Sequence, residues 1–194
     1  MLKVIHYPHP TLRHKSKPLQ RVDDELAAMV REMFVLMYEH DGVGLAANQV
    51  DLPFRLFVVN LKSDPEEGEE LVFLNPVISA PKGMAEGEEG CLSIPGLYGP
   101  VKRPKQVNIT AYNLQGEEIS ATVTGLLARV VQHETDHLDG VLFPDRMSET
   151  SRADALPILE EFEINFESQR QTGGIPDDAT IALRLAELER KYCG

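Results

Sequence analysis

Apolar residues in DDELAAMVREMFVLMYEHDG recur at helical spacing, with Leu26, Met29, Val30, Met33, Phe34 and Met37 forming one stripe. A stripe of that kind faces a core. Asp23 or Asp24 stands where an N-terminal cap belongs, and Gly42 lies just past the end. Upstream, Pro8, Pro10 and Pro18 predict looped or extended chain over residues 1–22. Downstream the period changes. RLFVVNL and LVFLNPVI are short β-rich runs separated by the acidic loop SDPEEGEE, and VNITAYNLQGEEISATVT predicts two strands around a turn at Gly116. GLLARVVQHETDHL returns to helical spacing, with Gly140 placed to cap its C-terminus. After Pro144 the pattern predicts a glutamate-rich helix over 148–170, broken early by Pro157. TGGIPDD reads as a linker and ATIALRLAELERKY as a short amphipathic helix.

Strands mixed with three or four helices, without βαβ alternation, predict an α+β fold. The expected architecture is mixed or antiparallel β-sheets packed around the central helix that carries HETDH, with an additional helical segment at the C-terminus. Residues 1–165 are expected to form one domain and 166–194 an extension.

Composition narrows the function classes. The chain has 194 residues, 42% of them hydrophobic and 26% charged, which suits one globular domain with a sizeable core. A formal charge of -12 argues against direct nucleic-acid binding as its main task, because phosphate contacts need lysine and arginine. From residue 148 onward ten acidic residues face five basic ones, so this tail is not expected to dock on RNA. The spacing of Ile181, Leu183, Leu185, Ala186 and Leu188 instead suggests a helix packed on its own domain or on another copy. Cys91 and Cys193 are the two cysteines, too few for a disulfide scaffold. With no apolar run near ~20 residues and no targeting pattern at the start, neither a membrane span nor an exported chain is expected, and the expected compartment is the cytoplasm.

The chemistry gathers at VVQHETDHLDGVLF. On a helix His133 and His137 share one face a turn apart, where both can bind one metal ion. A catalytic centre needs a third protein ligand. The extended metallopeptidase pattern HExxHxxGxxH holds here as far as Gly140 but ends on Phe143. Glu160, Glu161 or Glu163 from a later helix are further candidates, with nothing to orient them. Cys91 in EGEEGCLSIPG is the better one: a soft thiolate donor beside a glycine that lets the backbone come close. A Cys/His/His set would leave a fourth position open. Cys193, one residue from the end, is discounted as a ligand because chain ends fray.

Taken together, DGVGLAANQV at 41–50, EGCLS at 89–93 and QHETDH at 132–137 resemble, in this order, the motifs of peptide deformylase. The likeness runs from about residue 2 to about residue 165 and includes the YPHPTLR opening. It implies removal of the formyl group from N-formylmethionyl nascent peptides. It implies a metal held by Cys91, His133 and His137, with water in the fourth position attacking the formyl carbon and Glu134 acting as general base, then acid. Gln49 and the backbone N–H of Leu92 would stabilise the oxyanion. Val43 and Gly44 would hold the peptide by backbone hydrogen bonds, and Leu126 and Val130 would help line a methionine pocket. The stem of Arg129 would form its rim with the charge in water, unless Arg129 is an ordinary exposed helix residue. Glu89 and Asp136 are expected in supporting roles with Arg103. The family association is with Fe²⁺, one ion per chain, with Zn²⁺, Ni²⁺ or Co²⁺ as substitutes. Transient ribosome association is expected to avoid the acidic tail, and the oligomeric state stays open. A peptidase with its third ligand elsewhere and a non-enzymatic ribosome-associated module are the rival readings.

Overall fold

In the computed structural model, which describes residues 1–194, the Asp23 carboxylate accepts the Leu26 N–H at 2.9 Å and opens helix α1 (Asp24–Glu39). Five strands make one antiparallel sheet: β1 (Gly44–Ala46), β2 (Leu56–Val59), β3 (Leu71–Lys82), β6 (Gln106–Tyr112) and β7 (Glu118–Thr124). Their spatial order is β1-β2-β3-β6-β7. Between β3 and β6 the chain forms a separate hairpin of β4 (Ala85–Gly90) and β5 (Tyr98–Arg103). Helices α2 (Gly125–Leu138), α3 (Glu149–Gln171) and α4 (Asp178–Tyr192) follow.

The alternation of β2 explains how the sheet is sandwiched. Leu56 and Val58 join Leu26, Met33 and Met37 of α1 in one apolar cluster, while Phe57 and Val59 join Ala128 and Val131 of α2 in another. Successive side chains point to opposite faces, so a strand covered on both sides is apolar throughout. A third cluster ties Ile5 and Leu12 of the N-terminal segment to Ile94 and Val101 beside the hairpin and to Ala155 and Leu159 of α3. The α+β expectation, with its sheets around the HETDH helix, therefore holds.

Several elements differ from the expectation. Proline does not break α3: Pro157 and Ala153, the carbonyl it leaves without an N–H partner, are both exposed, so water can take that role. The boundary expected at 165/166 falls within α3, and the helices turn at 172–177 instead. Helix α4 packs on its own domain, burying Ile181, Leu185 and Tyr192, the last with its ring 5.1 Å from that of Phe54. Leu183 and Ala186 face outward, because the stripe runs through 181, 185, 188 and 192. Cys193 is not frayed: it caps α4, half-buried against the first cluster. The β4–β5 hairpin was not legible. Its strand β4, AEGEEG, has no apolar alternation, and its inward Glu89 is buried against Arg103 rather than against a hydrophobic residue. No helix is long and apolar enough to cross a membrane.

Candidate metal centre and active site

Helix α2 is unusual in what it hides. Gln132, Glu134, Asp136 and His137 are all buried along with its apolar residues. Buried polar groups demand partners, and tracing them exposes the site. The His133 and His137 rings lie 4.9 Å apart, with their Nε2 atoms 3.2 Å from each other. From the turn after β4, Cys91 brings its Sγ to 3.3 Å from His137 Nε2. One donor atom from each of the three residues lies within 4.8 Å of the other two. A sulfur and two imidazole nitrogens converging in this way suit a divalent metal ion. The fit has a second sign, since Glu134 Oε2, on the residue next to His133, is buried without any hydrogen-bond partner.

Glu89 fixes the first histidine. Its Oε2 lies 2.9 Å from His133 Nδ1, which leaves Nε2 for the centre. The same carboxylate accepts Arg103 Nε at 2.6 Å, Arg103 Nη2 at 2.9 Å and Arg129 Nη1 at 2.7 Å. Burial alone would raise its pKa, but the hydrogen bonds from His133 and Arg103 outweigh burial and hold the carboxyl well below the usual range. Arg103 also donates to Asp136 at 2.7 Å, so α2 and the hairpin share one buried ion network, as the supporting roles of Glu89 and Asp136 required.

Arg129 corrects the expectation. Its guanidinium is not in water but donates to Glu89, to Val101 O at 3.1 Å and to Ala85 O at 3.1 Å, fastening the hairpin to α2. The candidate glutamates 160, 161 and 163 lie on α3, where Glu163 accepts the Tyr7 hydroxyl, and none joins the cluster. Phe143 stacks 6.3 Å from the His133 ring as packing.

Glu134 is 4% exposed, and burial pushes its pKa up to about 7 against the pull of the His133 and Arg103 charges. Its Oε1 faces Gly44, where a Cβ would come within 2.6 Å. The 3-10 turn Ala47–Val50 follows β1 and carries Gln49. The Gln49 side-chain Oε1 accepts the Ala46 N–H at 2.9 Å, which turns Nε2 toward Cys91 Sγ and Ser93 Oγ, each at 3.3 Å. The Leu92 N–H makes no backbone hydrogen bond. A cavity of about 620 Å³ opens over these groups, lined by Val43, Gly44, Leu126, Arg129 and Val130 among others. Leu126 stands 53% exposed beside it, and β1 forms the edge of the sheet there. Every residue expected at the site thus lies in one place.

Sequence reasoning missed Ser93 and Tyr98. Ser93 is a buried partner of Gln49, and Tyr98 covers Gly90 while lining the cavity. No pattern in YGPVKR singles out Tyr98, which stands 65% exposed at the start of β5.

The family model described as polypeptide deformylase matches residues 1–153. A peptide deformylase of Rhodopirellula baltica is 56% identical over 193 residues, covering 100% of this chain and 96% of its own. The solved peptide deformylase 1B of Arabidopsis thaliana, in complex with an inhibitor, aligns with TM-score 0.84 at 40% identity, over 91% of this chain and 97% of that one. A peptide deformylase from Legionella pneumophila aligns with TM-score 0.78 at 37% identity, over 91% and 99%. The matched span holds the Cys91 turn, the Gln49 turn and the two-histidine helix, and the chain belongs to the peptide deformylase family, metal-dependent hydrolases that remove the N-formyl group from newly made proteins.

Proposed function

We propose that Cys91, His133 and His137 hold one divalent ion, and that Glu134, Gln49 and the Leu92 N–H carry out the hydrolysis around it. The observation that carries this reading is the convergence of three donor atoms beside a buried carboxylate one residue from His133. A thiolate and two imidazoles suit Fe²⁺, Zn²⁺, Ni²⁺ and Co²⁺ alike, and the family association puts Fe²⁺ first, with the others as substitutes. When bound, such an ion acidifies water and polarises a carbonyl oxygen.

The chain's own groups supply the rest. Hydrolysis joins a water oxygen to the formyl carbon and breaks the C–N bond, leaving formate and a free amine. Glu134 takes a proton from the water and delivers it to the departing nitrogen. A carboxyl near 7 suits both halves of that transfer at neutral pH. The Gln49 amide and the Leu92 N–H are fixed donors for the oxyanion, and Gln49 is held in aim by its bond to Ala46 N. At the free edge of β1, Val43 and Gly44 offer backbone groups to an extended peptide in the manner of an added strand. The methionine side chain enters between Val43, Leu126 and Val130. Arg129 acts here by holding the pocket wall through Val101 and Ala85.

The acidic balance of residues 148–194 opposes contact with RNA, so any transient ribosome contact uses another surface. Formate release from formyl-Met-Ala-Ser tests the activity, with unformylated Met-Ala-Ser as control. Formate from the first, abolished by a chelator and restored by added metal, is expected. Cleavage of the unformylated peptide at a comparable rate would point to a peptidase instead.

A further inference from the structure

Helix α4 lies beyond the family-matched residues, yet Arg184 pairs with the residue after the turn that carries Gln49, and Glu189 pairs with His14, which that turn contacts. Asp51 directly follows that turn in a left-handed conformation, φ 65°. Its carboxylate accepts the Thr11 hydroxyl at 2.5 Å and pairs with the Arg184 guanidinium. Inside the turn, Asn48 Nδ2 donates to the His14 carbonyl at 3.0 Å. The ring of His14 meets Glu189 Oε1 at 2.7 Å, and Lys17 Nζ lies 2.6 Å from the other oxygen of Glu189. One link thus runs from α4 to the residue after the turn, the other to a residue within it.

A 3-10 turn of four residues has poor hydrogen-bond geometry and holds itself weakly, and a left-handed aspartate persists only where its surroundings impose it. Ile181, Leu185 and Tyr192 dock the helix by apolar burial. Arg184 and Glu189 are directed at the turn and the segment beside it. Gln49 Nε2 lies 3.3 Å from Ser93 Oγ, near the limit for an N–H···O bond, so a small shift of the turn loses that bond.

We infer that α4 is a clamp on the active site, in which Arg184 and Glu189 are positioning residues that keep the Gln49 amide aimed at the reacting centre. This rests on the oxyanion role proposed for Gln49. The clamp explains why an acidic tail is retained at a fixed place on the domain rather than presented to an anionic partner. It also predicts that loosening α4 changes turnover more than peptide affinity, because no α4 residue lines the cavity.

The test uses the metal-loaded full chain, with Arg184→Ala, Arg184→Lys and Arg190→Ala compared in the wild-type and Gln49→Ala backgrounds. Formate release from formyl-Met-Ala-Ser gives kcat and KM, and hydrogen exchange reads the backbone amides of residues 48–52. Arg184→Ala is expected to lower kcat about 10-fold, a fraction of the loss that a full 1 Å misplacement brings. KM should stay nearly unchanged, exchange at 48–52 should quicken, and Arg184→Lys should restore most of the rate. Arg190→Ala should change nothing. In the Gln49→Ala background Arg184→Ala should cost nothing more, because the group it positions is gone. Glu189→Gln, expected to give the same pattern, serves if Arg184→Ala does not fold. Undiminished kcat in folded Arg184→Ala, or an equal loss in the Gln49→Ala background, overturns the clamp. Full activity in Gln49→Ala alone would remove the oxyanion role beneath it, a separate failure.

Discussion

Placing one methyl group at Gly44 should disable catalysis while leaving the metal in place. Backbone conformation is not the obstacle, because Gly44 sits in β1 without the positive φ that makes substitution strained. Space is. A Cβ there would lie 2.6 Å from Glu134 Oε1, 2.9 Å from Val130 Cγ1 and 3.0 Å from Glu134 Cδ. Ordinary contact begins near 3.4 Å, so the carboxylate must give by about 0.8 Å. Val130, 5% exposed and packed among the α2 core residues, must yield by about 0.5 Å as well, while the longer Glu134 side chain takes the larger shift. A 1 Å displacement of a reacting group costs ~10²-fold in rate. Overpacking also costs ~1–3 kcal/mol of stability, or a fall of roughly 2–4 °C in Tm per kcal/mol for a domain of this size. None of the three atoms nearest such a Cβ belongs to Cys91, His133 or His137. The assay is formate release at saturating formyl-Met-Ala-Ser, with metal content and melting temperature measured on the same preparation. A Gly44→Ala protein with full metal and a kcat close to wild type would refute the placement of Glu134 as the proton carrier.

Cys91→Ser exchanges a soft thiolate for a weak donor and should lose metal, whereas Cys193→Ser, remote on α4, should keep both metal and activity; metal analysis of the two proteins checks this. Glu89→Gln takes from the buried Arg103 one of its two carboxylates, leaving Asp136, and should cost ~3 kcal/mol at pH 7, the low end for a broken buried pair, read by urea unfolding. Because the folded Glu89 pKa is depressed, its contribution is complete above the unfolded value near ~4.3 and fades as pH falls through the folded one, so the gap to wild type should close only in strong acid. Deleting residues 172–194 exposes the cores that Ile181, Leu185 and Tyr192 cover, at ~1.5–3 kcal/mol each, so Tm should fall by ~10 °C or more. The same deletion should not weaken co-sedimentation with ribosomes at low salt.

What the sequence showed and what it concealed divide along a physical line. The amphipathic stripe of α1, the two-sided apolar run of β2 and the paired histidines of α2 each follow from periodicity, and each appears where expected. Cys91 was within reach because a thiol next to glycine is a chemical signal, although only the joint motif placed it near His133. The β4–β5 hairpin was hidden because an ion network, Glu89 with Arg103 and Arg129, fills its interior in place of an apolar alternation. Arg129 was misread for the same reason: a helix position that looks exposed is satisfied by backbone carbonyls of a distant hairpin. Pro157 misled in the opposite direction, since a helix exposed at that turn tolerates a missing hydrogen bond. The clamp by α4 depends on pairings across more than a hundred residues, such as Asp51 with Arg184, that no local pattern announces.

Turnover of metal-loaded Glu134→Gln bears most directly on the central claim. Glutamine keeps the size of the side chain and should leave the Cys91, His133 and His137 donors undisturbed, while taking away the group that accepts and returns the proton. The account predicts one metal ion per chain and formate release from formyl-Met-Ala-Ser reduced by at least ~10²-fold. Near wild-type turnover in a fully loaded Glu134→Gln protein would contradict it.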